Sequence, residues 1–146
     1  MPTEKTVAPV VDAKKKSKTP ETIRGFRDVL PEEQSAWDKI EYLARSMART
    51  YGFGRIRIPV LEATSLFERS VGKDTDIVEK EMFTFVDQGG VKMTLRPEGT
   101  AQVARAYIEH GMVNQSQPVK MWYFEPFFRH ERPQAGRYRQ FWQWGL

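Results

Sequence analysis

Four arginines, Arg129, Arg132, Arg137 and Arg139, fall within eleven residues, with one carboxylate, Glu131, among them. Aromatic runs flank them, Phe127-Phe128 on one side and Phe141-Trp142 on the other. Pro133 and Gly136 interrupt the polar centre, so residues 127–143 read as strand, loop, strand, with the charges on the loop. Arginine is the side chain best shaped to fork onto phosphate oxygens, and an aromatic face is the usual seat for a nucleobase. A hairpin carrying both suits the phosphate and base of a nucleotide. The competing reading is an edge hairpin with solvated arginines and aromatics packed in a core. A second cluster is Arg96-Pro97-Glu98-Gly99-Thr100. A carboxylate and a hydroxyl at a strand-to-helix turn can hold an ammonium group; the same residues also cap helices.

The elements that must carry these residues can be traced along the chain. Residues 1–20 hold three prolines and a Lys14-Lys15-Lys16 run without apolar periodicity, which predicts a disordered, lysine-rich tail. From Pro31, the apolar residues Trp37, Ile40, Ala44, Met47 and Tyr51 step by three and four, predicting a helix with that stripe on a single face and a stop at Gly52. Ile56 and Ile58 predict a short strand limited by Pro59. A short helix over 64–71 ends at Gly72, and Asp74, Asp76, Glu79 and Glu81 follow on an irregular, solvated turn. Alternation over 82–86 and 91–95, with Gly89-Gly90 between, predicts a hairpin. Thr100 then leads a helix to Gly111, and Val119 to Phe124 form a strand that Pro126 separates from the arginine hairpin.

Composition narrows the class. The chain is 40% apolar and 29% charged, in the range of an ordinary globular domain. No apolar run approaches the roughly 20 residues of a membrane span. There is no cysteine, which removes disulfides and thiolate metal sites and points weakly to a cytoplasmic setting. The net charge of +4 arises mainly from the tail, so the body is near neutral and a purely basic RNA-binding module is a poor fit. His110 and His130 lack ligand spacing for zinc.

The arginine hairpin resembles motif 2 of the class II aminoacyl-tRNA synthetases in the form used by histidyl-tRNA synthetases. The matching residues are Phe128-Arg129-His130-Glu131-Arg132-Pro133-Gln134, one variable position, then Gly136-Arg137-Tyr138-Arg139. Gly52 through Pro59 is similar to motif 1, and Leu95 to Thr100 to the Leu-Arg-Pro-Glu-Gly-Thr segment of the same family. The fold this implies is α+β, an antiparallel sheet flanked by helices, with residues 21–146 forming the N-terminal part of a class II catalytic domain. The implied activity is that of an ATP-dependent histidine–tRNA ligase, joining histidine to the 3′ end of tRNA(His) through histidyl-adenylate.

By the resemblance, Arg129 clamps the α-phosphate and the histidine carboxylate, Glu131 reads the adenine amino group, Arg137 reaches the outer phosphates and Phe141 stacks on adenine. Glu98, Gly99, Thr100 and Gln143, together with Arg129, line the histidine pocket. ATP is then a substrate and magnesium is expected, with ligands not identifiable here. A homodimer through residues 31–61 is implied by motif 1. Trp142 departs from the family, where many relatives have histidine. Motif 3, the histidine-specific loops and the anticodon-binding domain have no counterpart before Leu146, so a fragment of low activity is expected. The alternative is a non-catalytic paralogue of the same fold, the regulatory subunit of ATP phosphoribosyltransferase.

Overall fold

The computed structural model describes residues 19–70, 72, 75, 77–132 and 134–146. Most of the lysine-rich tail (residues 1–18), and with it Asp74 and Asp76, lies outside the described residues.

Helix α1 spans Pro31–Thr50. Proline at its first position and Glu32 and Glu33 in its first turn suit the positive N-terminal end. The Glu33 carboxylate also reaches back to accept the Leu30 N–H at 3.3 Å. Gly52, at φ +75°, closes the other end, where Phe53 N–H donates to Ala48 O at 2.8 Å. The apolar stripe is split between core and surface. Ala44 and Ala48 are buried and Trp37 half-buried, whereas Ile40, Met47 and Tyr51 are 53%, 51% and 65% exposed. The sheet needs small residues beneath it: Ala48 packs with Trp122 and Phe124, and Trp37 and Phe53 complete the cluster. The larger side chains lie less than a quarter-turn round the helix and are left uncovered.

Two three-stranded sheets follow. In the first, β1 (Gly54–Arg55) runs parallel to β5 (Met121–Phe128), which pairs antiparallel with β6 (Gln140–Gly145). In the second, β2 (Leu61–Ala63), β4 (Lys92–Leu95) and β3 (Thr84–Val86) are antiparallel in the order β2-β4-β3. Helix α2 covers Thr64–Ser70 and α3 covers Thr100–Glu109. The hairpin of β3 and β4 and the stop at Gly111 (φ +60°) match the alternation and turn signals.

Three expectations give way. The strand expected through Ile56 and Ile58 ends at Arg55. Ile56 N–H still donates to Trp122 O at 2.9 Å, but the carbonyls of Ile58 and Pro59 are taken by a side chain instead of a ladder. The acidic stretch is not wholly irregular, because Ile77–Glu81 forms one π-helical turn. Pro126 does not end its strand. Its carbonyl accepts from Arg96 Nε at 2.8 Å, so its backbone edge faces away from β6 and its missing N–H removes no β5–β6 bond.

Arg96, at the exit of β4, joins the two sheets. Its backbone N–H donates to Val60 O and its carbonyl accepts from Phe128 N–H, both at 3.0 Å. Its side chain is 1% exposed. It donates to Ile58 O at 2.6 Å, Pro59 O at 3.4 Å and Glu125 Oε2 at 3.2 Å, besides Pro126 O. The guanidinium also sits 5.0 Å above the Phe127 ring. Burial pushes Arg96 below the usual arginine range, and the Glu125 carboxylate opposes that.

Candidate nucleotide and amino-acid site

Alternation along β5 places Tyr123, Glu125, Phe127 and Arg129 on one face, and the register sets them against Gly145, Gln143 and Phe141 of β6. Trp122 and Phe124 point the other way, into the core with α1. One strand pair thus holds a hydrophobic floor on one side and a row of polar and aromatic groups on the other. Three of the residues expected at the site, Arg129, Phe141 and Gln143, share this polar row.

Arg129 sits at the end of β5, where its backbone N–H donates to Arg139 O at 2.9 Å and closes the hairpin. Its Nε donates to Pro97 O at 3.0 Å, and the guanidinium lies 5.1 Å over the Phe141 ring. One edge of the fork is fixed by the turn that carries Glu98. The two Nη groups have no acceptor among the described residues. This is an arginine held in place with its outer donors available, which is what phosphate recognition requires.

Glu131 and Arg137 form an ion pair across the loop, Arg137 Nε to Glu131 Oε2, with Glu131 10% and Arg137 56% exposed. The two residues expected to read adenine and the outer phosphates therefore occupy each other. Arg139 ties the loop to the N-terminal segment: its N–H donates to Gly25 O at 2.7 Å and its side chain donates to Glu131 O and Arg24 O. Arg24 of that segment and His130, Glu131, Arg132 and Arg139 of the loop surround a polar cleft of about 460 Å³. His130 itself is held by its backbone N–H on Glu81 O and by its ring edge on Phe83.

The second cluster lies beside the first. Glu98 accepts the N–H of Thr100 at 2.6 Å and of Ala101 at 2.9 Å, so its carboxylate caps α3. Of the two roles open from sequence, the cap is realised in this structure. A carboxylate oxygen retains a further lone pair after one hydrogen bond, so capping leaves acceptor capacity toward a cation. Gly99 packs where a Cβ would stand 2.5 Å from Tyr123 Cζ and 3.0 Å from Phe127 Cζ, so only glycine fits between the turn and β5.

Two residues with central positions were not singled out from sequence. Arg96 reads as an ordinary charge until its burial is seen. An arginine wedged between Leu95 and Pro97 at the end of an apolar strand was the available signal. Tyr123 was missed because the strand was ended at Pro126; counting back by twos from Arg129 finds it once the strand is continuous. Burial pushes the Tyr123 phenol up, the Glu98 charge adds to this, and the neighbouring Thr100 side chain opposes both. Among the described residues, no three His, Cys, Asp or Glu side chains gather as metal ligands would.

A mixed fold in which a sheet hairpin presents an arginine over an aromatic ring, beside a capped helix, is the architecture of a class II aminoacyl-tRNA synthetase catalytic domain. Sequence comparison makes the assignment more specific. The histidyl-tRNA synthetase family model matches residues 25–146, and the chain belongs to that family. A curated histidine–tRNA ligase from Desulforudis audaxviator is 57% identical over 123 residues, which cover 84% of this chain and 29% of the relative. The crystal structure of apo S. aureus histidyl-tRNA synthetase superposes with a TM-score of 0.71 at 40% identity, covering 86% of this chain and 28% of that one. An ATP phosphoribosyltransferase regulatory subunit/histidyl-tRNA synthetase from Bacillus halodurans superposes at 0.70 with 27% identity, over 85% and 31% of the two chains. The chain thus spans about 29% of the length of the curated relative it matches.

Proposed function

We propose that residues 21–146 supply the nucleotide and amino-acid arms of a histidine–tRNA ligase, as the N-terminal part of its catalytic domain. The observation that carries this reading is Arg129, locked by Pro97 O on one edge and by the Phe141 ring beneath, with its Nη donors unspent among the described residues. In adenylate formation the histidine carboxylate attacks the α-phosphorus in line, and negative charge grows on the phosphoryl oxygens. The reaction asks the protein for fixed positive charge and alignment, not for a covalent nucleophile. Each charged hydrogen bond from the fork contributes about 1.5–3 kcal/mol.

The remaining roles are those that the family resemblance implies. Phe141 offers a ring for adenine. Glu131 accepts the adenine amino group once ATP draws Arg137 away to its outer phosphates, so nucleotide binding exchanges one ion pair for two contacts. Glu98, Gly99, Thr100 and Gln143 hold histidine, with Glu98 taking the ammonium on the lone pairs that the helix cap leaves free. Magnesium would offset triphosphate charge. Glu98 and Glu131 are already engaged, so no ligand set for it is assigned to this chain. Arg24 and Arg132, around the polar cleft, suit the phosphates of tRNA(His).

The exposed row of Ile40, Leu43, Met47 and Tyr51 on α1 supports a homodimer through residues 31–61. None of the described helices is long and apolar enough to cross a membrane, and a cytoplasmic location accords with the absence of cysteine. The regulatory-subunit reading is favoured only by the mixed name of the B. halodurans protein. The joint presence of Arg129, Glu131, Arg137, Glu98 and Thr100 supports the ligase.

The test is histidine-dependent exchange of pyrophosphate into ATP by the full-length protein. Arg129→Lys should lower it about a hundredfold, since a point charge cannot reproduce two forked hydrogen bonds. No exchange by the wild-type protein, with stimulation of an ATP phosphoribosyltransferase instead, would overturn the proposal in favour of the regulatory subunit.

A further inference from the structure

The loop between β5 and β6 is tied to itself only at its two ends. At the neck, Arg129 N–H donates to Arg139 O at 2.9 Å; at the tip, Gln134 and Arg137 bond to each other around Gly136, at φ +75°. Among the described residues, no backbone bond crosses the loop in between, where Glu131 lies. That stretch is held from outside. His130 N–H donates to Glu81 O at 2.6 Å, and the Phe83 ring contacts both His130 and Phe26, at centroid distances of 5.2 and 6.2 Å. Arg139 supplies the other tie. Its N–H donates to Gly25 O at 2.7 Å, its Nε to Glu131 O at 3.2 Å and its Nη1 to Arg24 O at 3.3 Å. The guanidinium therefore bridges the backbone of Glu131 to the turn that precedes α1. Phe26 N–H closes that turn on Ile23 O at 3.0 Å, with Gly25 at φ +91°. Arg27 moors it to α1, pairing with Glu33 at 2.7 Å and lying 5.6 Å over the Tyr138 ring of the loop.

We propose that Arg139 is a positioning residue for recognition of the base: by clamping the Glu131 carbonyl to the turn at residues 23–26, it fixes where the Glu131 carboxylate stands. This rests on the reading that Glu131 accepts the adenine amino group. Replacing the Arg139 side chain leaves both of its backbone bonds, and so the neck of the loop, in place. The Arg129 side chain is anchored elsewhere, on Pro97 O and the Phe141 ring. Glu98, Thr100 and Gln143 lie outside the loop altogether. Loosening the Arg139 clamp should therefore weaken reading of the base and spare the amino acid.

The experiment uses the full-length protein and pyrophosphate exchange, with histidine, ATP and inosine triphosphate varied separately. Inosine triphosphate carries an oxygen where adenine has its amino group. Arg139→Lys keeps the charge but cannot bridge two carbonyls. It should raise KM for ATP about fivefold and leave KM for histidine and for inosine triphosphate nearly unchanged, so the preference for ATP narrows by the same factor. Gly25→Ala strains the turn from the other side, because alanine rarely adopts that φ, and should narrow the preference too. Acting through one clamp, the two changes together should fall well short of the product of their single effects. Equal losses for ATP and inosine triphosphate in Arg139→Lys, an equal rise in KM for histidine, or fully multiplicative effects would overturn the inference. So would unaltered exchange with a loss confined to transfer onto tRNA(His), since Arg139 would then serve the phosphates at the polar cleft. Glu131→Gln separates the two levels. If it narrows the preference for ATP while Arg139→Lys does not, only the role of Arg139 falls. If Glu131→Gln leaves that preference intact while exchange persists, the adenine reading falls and the inference with it.

Discussion

Replacing Arg96 with methionine should destabilise the protein more than any change to the exposed arginines of the loop. The substitution keeps much of the buried volume but removes a charge that is 1% exposed. Ile58 O and Pro126 O lose the Arg96 donor, the only side-chain donor to either among the described residues, and Glu125, 16% exposed, loses its counter-charge. Pro59 O is spared, because Gln102 Nε2 still donates to it at 2.9 Å. Breaking a buried pair from one side costs about 3–5 kcal/mol, and two orphaned acceptors at ~1–3 kcal/mol each account for most of that. The partial exposure of Glu125 limits the loss to the lower half of the range. For a body of this size the thermal midpoint should fall on the order of 10–20 °C. Urea denaturation followed by tryptophan fluorescence reads the change directly, since Trp122 lies in the core that β5 shares with α1. The midpoint should drop at unchanged slope. Arg96→Met combined with Glu125→Leu should recover at least ~1 kcal/mol, because the stranded carboxylate is then gone. A cost below ~1 kcal/mol for Arg96→Met, or a double variant no better than the single one, would refute the idea that this side chain clips the sheets together.

Two further outcomes are expected. Met47→Asp, in the exposed apolar row of α1, should convert a full-length dimer into a folded monomer in sedimentation at micromolar concentration; a persisting dimer would place the interface elsewhere. Glu41 lies 2.9 Å from Arg45 and 3.0 Å from Arg55; burial pushes its carboxyl up, but the two arginines together outweigh that and hold it below the usual range. With the folded pKa depressed, the unfolded chain takes up the proton first. The stabilisation is therefore present above about pH 4.5 and is lost as pH falls through the depressed folded value. Glu41→Gln should flatten that part of the acid limb of stability against pH, and an unaltered limb would discount the pairing.

Much of the architecture was legible because its signals are local. The hairpin around Gly136, α1 with its proline and two glutamates at the start, and α3 between Thr100 and Gly111 depend on turn chemistry and spacing within one element. The site row was legible in part for the same reason. Arg129, Phe141 and Gln143 alternate on paired strands, so period-two counting puts them on a common face. The ion pair of Glu131 with Arg137 was not legible, since a loop of that length allows several pairings.

The sequence by itself determined which residue types could grip a nucleotide, the order of helices and strands apart from β2, and the family to which the chain belongs. Tertiary structure decided which line of α1 faces the sheet, that Pro126 continues its strand, and that Arg96 and Tyr123 are central. The reason is physical in each case. Periodicity shows that a helix has an apolar side, but whether Ala48 or Met47 is covered depends on how closely Trp122 and Phe124 approach. A proline ends a strand only when its missing N–H faces a partner strand, and the edge of Pro126 faces the Arg96 side chain instead. The value of a buried arginine, or of a tyrosine ring against Gly99, depends on atoms brought together from far along the chain, and only folding supplies them.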